Sequence, residues 1–545
     1  MSMKKRIEPT AEQRYEHYQR AKSIADMEKP HLSEAYRYVI PERNNFFDQS
    51  MHRKPEQEIF DSTAPSANID FANNLQRLLM PPYTRWIEYN VGESIEDNEN
   101  MSEEDKKQIK ESVQKQTRAL FRILDSSNFH HVINTVFQDM GVSTGVIIIN
   151  ERDDKNHPIQ FQVAPMNNVV FDVGIDGELQ NFWITRKLKA KQIMEYWPKA
   201  ELNAELSNKV MNSPNEEFEF IEGCVYIYEN EDSHKYLYYV QRMDGRTDIL
   251  KEFRAFSPFH GFRLNVAPDE IYGRGPGRVF LPDIRMVNKL RESTARIIDY
   301  VAFPIFLREN SGVIDLQSTQ NIQSGAVIDI ETSLGSSRDP IRQLPIQINE
   351  SLLEGSIESD RALIRSGFNS NPLPEVPTTP NQSATEVSIR QQEWTRRSSA
   401  SIIRVINTLF TLVDKITQIL RRRGDIKDIA YQDNMITFEL GNKNIKLDYQ
   451  SPILSIQKRD DMERFETYLN FILRYYTQAG IVAGVKIPES LKWSAEKLDV
   501  DQLLVNDFDE VQKRIGQMYN QAQQEQAAQF QPQVQSNQGE NSQIL

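Results

Sequence analysis

An α+β protein, largely helical, is the fold class that three features of the sequence predict. Capping boxes, Thr10 with Gln13 and Ser383 with Glu386, each open a stretch with helical apolar spacing. From Gly141 to about residue 266 the apolar period drops from 3.6 to 2, with Asp/Gly turns between short runs. Beyond that, two helical segments flank a stretch that loses helical periodicity. The chain has 545 residues, more than one core usually serves, and 64 basic against 78 acidic side chains leave a formal charge of −14. Hydrophobic residues make up 39%, with enough Tyr, Phe and Trp to build cores, which excludes a wholly disordered chain. No run approaches the ~20 apolar residues that span a bilayer, and Met1 to Glu8 carries no apolar region behind its charges. The expectation is a soluble, non-secreted protein.

Tyr15, Tyr18, Ala21, Ile24 and Ala25 recur at helical spacing behind Thr10, predicting a helix over about 10–28. A second helix, about 64–80, carries Ile69, Ala72, Leu75, Leu78 and Leu79 and stops at Pro81-Pro82. Tyr83 to Val91 reads as a strand or extended segment, and 96–124 as a charged helix. Asn128 is placed to cap a further helix through Val132, Val136 and Phe137. Short strands follow at Val146 to Ile149, Ile159 to Val163, Val169 to Phe171 and Phe182 to Thr185. A brief helix at Lys191 to Trp197 precedes a hairpin of Gly223 to Tyr228 with Tyr236 to Arg242. The pairing predicted for 140–266 is mainly antiparallel.

After Gly273-Arg274-Gly275-Pro276-Gly277, Pro282-Asp283 starts a helix with Ile284, Val287, Leu290, Ile297, Ile298 and Val301 on one side; 283–300 spans about 27 Å. Val313-Ile314-Asp315 and Ala326 to Ile330 look like strands of a small insertion. Asn349 can cap a second helix with Leu352, Leu353, Ile357, Leu363 and Ile364 apolar. Asn369 to Asn381 holds four prolines, after which a helix can run from Ala384 to Arg423, about 60 Å, before Gly424 ends it. Ser388 to Ser401 is polar nearly all round, whereas Ile402, Val405, Ile406, Leu409, Leu412, Val413, Ile416 and Leu420 form a stripe. Strands at Met435 to Leu440 and Ile445 to Tyr449, and helices at about 459–479 and 499–520, complete the reading. The end from Gln521 is Gln-rich and lacks apolar periodicity.

Chemistry is sparse. One cysteine, Cys224, rules out an intrachain disulfide and a Cys-rich zinc site, and its apolar surroundings point to a packed strand thiol. There is no G-x-x-x-x-G-K-[ST] and no G-x-S-x-G. The glycine cluster at 273–277 lacks phosphate-loop spacing and reads as a structural turn. His130 and His131 are adjacent and diverge on a helix, so they cannot share a metal as an i, i+4 pair can. Asp153-Asp154, Asp460-Asp461 and Glu216-Glu217 read as turns, caps and charged loop. No catalytic residue, metal or cofactor is expected, and the chain is not read as an enzyme. Over 384–423, Arg390, Arg396, Arg397, Arg404, Lys415, Arg421, Arg422 and Arg423 outnumber Glu386, Glu393 and Asp414. A solvated face with dipole complement, or contact with phosphates or an acidic neighbouring subunit, would account for it.

The order of segments resembles the head-to-tail connector, or portal, family of short-tailed double-stranded DNA phages. The stretch from Asp61-Ser62-Thr63-Ala64 through Ala72-Asn73-Asn74-Leu75 to Met80-Pro81-Pro82-Tyr83-Thr84-Arg85-Trp86 is similar to that family's N-terminal signature. Further matches follow in the family's order: Ser127-Asn128-Phe129 with Phe137-Gln138-Asp139-Met140, Gly145-Val146-Ile147, Phe171-Asp172 with Gly177, Tyr272 to Pro276, Leu281 to Ile284 with Asn288, and Ala384-Thr385-Glu386-Val387. The likeness covers roughly 10–425. It implies the portal fold of wing, stem, clip and crown, assembled as a ring, usually of twelve, at one capsid vertex of the virion, formed in the host cytoplasm. Double-stranded DNA would be packaged and ejected along its axis.

By position the resemblance implies 1–282 as N-terminal helices and wing, 283–300 and 346–366 as stem helices and 301–345 as the clip. It implies 367–383 as the tunnel loop, 384–424 as the long wing helix and 425–520 as wing strands and crown helices. The tail, 521–545, is expected to be disordered or to form a barrel. Asn369, Asn371, Asn381 and Gln382 would line the DNA channel. Val313, Ile314, Asp315, Ile328 and Asp329 of the clip would meet the terminase large subunit or the tail adaptor. Arg390, Arg396, Arg397 and Arg404 would contact phosphates or a neighbouring subunit. Major capsid and scaffolding proteins are further implied partners, and no membrane is. The four prolines depart from the family's usual tunnel loop. An internal-core or scaffolding protein of the virion is the alternative, although it gives less reason for the strands of 140–266 and the interrupted helix pair.

Overall fold

The computed structural model describes residues 9–46, 59–92, 95, 101–154, 156–227, 235–244, 246–268, 270–309, 327–330, 341–343, 350–369, 384–431, 434–436, 445–449, 461–462, 464–475, 485, 490 and 493–494. Two compact units divide the chain, Met1–Asp448 and Tyr449–Leu545.

Helix α1 (Ala11–Val39) begins at the Thr10–Gln13 capping box, as its sequence requires, but continues past the expected end near residue 28 and through Pro30. Leu32, Ala35, Tyr36 and Val39 are all buried, and this packing outweighs the hydrogen bond that Pro30 cannot donate. A 3-10 turn, Pro41–Phe46, follows.

Helix α2 (Thr63–Leu79) buries Ala67, Phe71, Ala72, Leu75, Leu78 and Leu79. Ile69, expected on its apolar face, is exposed, and Phe71 takes that place in the core. The expected strand at 83–91 shortens to β1 (Ile87–Val91), because Tyr83 takes a positive φ of 60° in the turn behind the two prolines. Helix α3 (Glu103–Ser126) starts later than 96, where Ser102 accepts the Asp105 N–H at 3.2 Å. In α4 (Phe129–Val142), Asn128 makes no side-chain cap. Its amide instead accepts the Phe161 N–H at 3.0 Å and donates to the Phe161 carbonyl at 2.8 Å, fastening a strand to the helix.

The period-2 region forms two antiparallel sheets. β2 (Thr144–Glu151) lies between β3 (Ile159–Val163) and β9 (Phe259–Arg263). The larger sheet runs in the order β4 (Val169–Val173), β5 (Leu179–Lys189), β6 (Glu217–Tyr226), β7 (Tyr236–Arg242), β8 (Asp248–Arg254). Short helices α5 (Ile193–Tyr196) and α6 (Ala204–Asn212) lie between β5 and β6. The sequence does not announce α6, β8 or β9, and Glu217 proves to be the first residue of β6 rather than loop. Tyr18 and Ala21 of α1 pack on Val170, Trp183, Ile221 and Tyr239 of this sheet. Each large apolar side chain so buried contributes roughly 1.5–3 kcal/mol. Cys224 is fully buried on β6, and burial pushes its thiol up to about 11, as a packed strand thiol requires.

Helices α7 (Pro276–Val279) and α8 (Leu281–Ala302) lead to a three-stranded sheet of β10 (Phe306–Glu309), β11 (Val327–Ile330) and β12 (Ile341–Gln343). β10 pairs parallel with β11 and antiparallel with β12. Helix α9 (Glu350–Gly367) returns to pack on α8, and α10 (Ala384–Arg423) has the bounds its sequence predicts. Gly424 ends it at φ 84°, a conformation that favours glycine. Two short pairs follow: β13 (Ile429–Tyr431) with β14 (Asn434–Ile436), and β15 (Ile445–Tyr449) with β1. In the second unit 464–475 is helical, with Phe471 and Tyr475 ring centroids 4.7 Å apart. The helix expected at 499–520 and the tail lie outside the described residues.

Candidate functional site

The helix pair α8 and α9, the strands between them and the segment that follows form the candidate site. The pair is rooted on α2. Asp61, just before that helix, accepts from Arg361 of α9 through Nε at 2.9 Å and Nη2 at 2.6 Å, and its Oδ1 accepts the Thr63 N–H at 2.9 Å. Asn288 of α8 accepts the Phe60 and Asp61 N–H groups at 2.8 and 3.3 Å. Burial alone would raise the Asp61 carboxyl, but the bonds from Thr63 and Arg361 hold it below the ordinary value.

Farther along α8 the apolar side chains are less covered. Ile298 and Val301 are 60% and 59% exposed, so the stripe expected on one side of this helix is buried only at Ile284 and Val287.

The glycine turn that launches α8 is a packing device. A Cβ at Gly275 would collide with the Gly141 carbonyl oxygen, and one at Gly273 would stand 2.7 Å from that of Ser143. The Gly275 N–H donates to the Val142 carbonyl at 3.1 Å and the Gly273 N–H to Thr144 Oγ1 at 2.9 Å, so these donors serve the fold. Arg278 pairs with Glu28 at 2.7 Å and Arg285 with Glu34, tying α7 and α8 to α1.

At the other end, Phe368 is fully buried with its ring centroid 6.4 Å from that of Phe71. Asn369 takes a φ of 50°, and its carbonyl accepts from Asn74 Nδ2 at 3.4 Å. The segment beyond is therefore fixed to α2 where it departs. Asn371, Asn381 and Gln382 lie outside the described residues, as do Val313, Ile314 and Asp315. Ile328 and Asp329 sit on β11 in register with Leu307 and Arg308.

Helix α10 docks through its C-terminal half, where Ile402, Val405, Leu409, Leu412, Val413, Ile416 and Leu420 are buried. Lys415 Nζ donates to the Phe259 carbonyl at 3.0 Å, and His260 Nε2 meets the Thr408 carbonyl at 2.8 Å. Burial drives the Lys415 ammonium down to about 8 and holds His260 well below its ordinary value. Arg421 pairs with Asp428 at 3.1 Å, Arg422 with Glu151, and Arg423 with Asp425 at 3.4 Å. Those three cations are thus matched within the chain. Arg404 is exposed, while Arg390, Arg396 and Arg397 lie on α10 with side chains outside the described set.

His130 pairs with Asp125 at 2.8 Å, His131 is exposed in the first turn of α4, and Asp153 and Asp154 are exposed in the loop after β2. Among the described residues no group of three His, Cys, Asp or Glu could hold a metal, and no helix is long and apolar enough to cross a membrane. The roles of Asp61, Asp139, His260 and Lys415 are invisible in the sequence. Their partners are distant in the chain, and no local spacing marks them.

A family model described as bacteriophage head to tail connecting protein matches residues 10–505. No individual curated protein matches the chain. A solved structure titled "Virion of native gene transfer agent (GTA) particle" is similar at 11% identity and a TM-score of 0.31, covering 65% of this chain and 79% of that one. A likeness at that score carries no argument.

Proposed function

The chain belongs to the bacteriophage head-to-tail connecting protein family, the portal proteins, and from that membership we propose that its copies form a ring through which double-stranded DNA enters and leaves the head. The exposed apolar side chains of α8 support assembly. Ile298 and Val301 would be buried by a neighbouring copy, and a head-to-tail contact that closes makes a ring. Twelve copies at one capsid vertex of a short-tailed phage is the arrangement we infer.

In this reading 283–300 and 346–366 are the stem, 301–345 the clip and 367–383 the tunnel loop. Residues 1–282 and 384–424 form most of the wing, 425–520 further wing strands and crown helices, and 521–545 a tail. The clip, with Val313, Ile314, Asp315, Ile328 and Asp329, would dock the terminase large subunit and then the tail adaptor. Asn369, Asn371, Asn381 and Gln382 would line the bore, and Arg390, Arg396, Arg397 and Arg404 would meet phosphates or a neighbour. Capsid and scaffolding proteins would surround the ring. ATP hydrolysis would belong to the terminase, leaving this chain a structural role. Its charge of −14, repeated around the ring, would discourage DNA from sticking within a Debye length, ~8–10 Å at physiological salt.

Native mass spectrometry with negative-stain imaging of the full chain tests the proposal. A ring of about twelve copies with a central bore is expected; only monomers or dimers under assembly conditions would overturn it.

A further inference from the structure

Where α1, the 3-10 turn and the end of α4 meet, a cavity of about 200 Å³ lies between Tyr36, Arg43 and Asp139 on its polar side and Val163, Pro165 and Met166. Asp139 is fully buried in the last turn of α4. Its Oδ1 accepts from the Tyr36 hydroxyl at 3.2 Å and pairs with the Arg43 guanidinium, whereas the buried Oδ2 has no hydrogen-bond partner among the described residues. Arg43 is 21% exposed, so its guanidinium has a path to water. The pair also stands at the root of α8. Val142, three residues on, accepts from Gly275, and Val39 touches the position of a Gly277 Cβ.

We propose that Arg43 and Asp139 form a protonation-controlled latch that holds the turn Pro41–Phe46 against the end of α4. With the carboxylate charged, the ion pair holds the turn. Once it is neutral, Arg43 loses its partner and moves into water. Burial places the Asp139 carboxyl at about 6, within reach of mild acid.

Among the described residues, Tyr36 and Arg43 are the groups that act on this carboxyl. On the other elements packed on α4, Arg278 pairs with Glu28, Asp125 with His130, Arg263 with Glu178 and Glu151 with Arg422. Arg77 of α2 donates to Asn74, and Asp70 is exposed. The folded carboxyl lies above its unfolded value, so its contribution to stability is fully present below about pH 4 and is lost as pH rises through about 6. Mild acid therefore opens the latch without unfolding the chain through this group.

Amide hydrogen exchange of the full chain, corrected for intrinsic rates, tests the latch. Uptake in 41–46 is expected to rise several-fold as pH falls from 7 to 5, with a midpoint near 6. Asp139→Asn should show the low-pH uptake already at pH 7. Tyr36→Phe, which removes a bond to the carboxylate, should move the midpoint upward and keeps the test open if the first variant does not fold. Uptake that stays flat with pH in the wild type, a midpoint unmoved in Tyr36→Phe, or an Asp139→Asn variant as protected as the wild type at pH 7 would overturn the proposal.

Discussion

Arg361 and Asp61, 300 positions apart in the chain, are joined by two hydrogen bonds to one carboxylate oxygen, at 2.9 and 2.6 Å. The Asp61 side chain is 4% exposed and that of Arg361 23%, so the two partners do not bear the loss of the other equally. Arg361→Ala strands a buried carboxylate and should cost about 3 kcal/mol, whereas Asp61→Asn leaves a cation near water and should cost about 1–2 kcal/mol. Because the Asp61 carboxyl is held down, its contribution is present above the unfolded value and lost as pH falls through the folded one. Denaturant midpoints of both variants, measured from pH 7 to pH 3, check the order and the loss of slope in Asp61→Asn.

Lys415 is partly buried, and burial of its ammonium holds it at about 8, so its charged form is costly at neutral pH. Lys415→Met should raise stability at pH 7 by about 1–3 kcal/mol, part of the gain being offset by the lost bond to Phe259. The wild type gains stability as pH rises from about 8 towards the unfolded value, so the advantage should shrink there. Thermal melts at pH 7 and pH 9.5 give the comparison.

Two glycines should respond in opposite directions. Gly275→Ala drives a methyl into the Gly141 carbonyl and should cost several kcal/mol or abolish soluble expression. Gly355→Ala, in α9 with nothing within 4 Å, should gain about 0.5–1 kcal/mol from helix propensity. Circular dichroism melts of the two variants decide this.

Asn369 holds a φ of 50° where the proposed tunnel loop begins. Asn369→Gly should be nearly neutral, and Asn369→Val should cost about 1–2 kcal/mol because a β-branched residue resists that conformation. Chemical denaturation separates the two.

Local signals mark most elements well. The capping box at Thr10 begins α1, the alternation at Ile159 to Val163 gives β3 its bounds, and the long run from Ala384 to Arg423 is unbroken by any Gly or Pro. Differences arise where tertiary packing decides. The expected end of α1 falls just before Pro30, yet Leu32, Ala35 and Tyr36 are buried beyond it, and Asn128, placed to cap, binds the Phe161 backbone instead. β9, Phe-His-Gly-Phe-Arg, carries too little alternation to stand out alone, yet it receives both polar contacts from α10. At the candidate site the helix pair and β11 are legible from periodicity, whereas β10 and β12 are not announced. The Asp61 clamp is not, because a pair 300 residues apart leaves no spacing to read.

The two contacts that seat α10 on β9, at Thr408 and Lys415, lie about two turns apart in the C-terminal half of a 40-residue helix. Ala384 to Ala400 continues the same helix for about 25 Å beyond the seated part. A tilt of roughly 5° at the seat would displace the Ala384 end by about 2 Å, by the rise per residue of a rigid helix. Small adjustments of sheet against helix are in this way geared up into displacements of ångström scale at Ala384, the first residue of the helix.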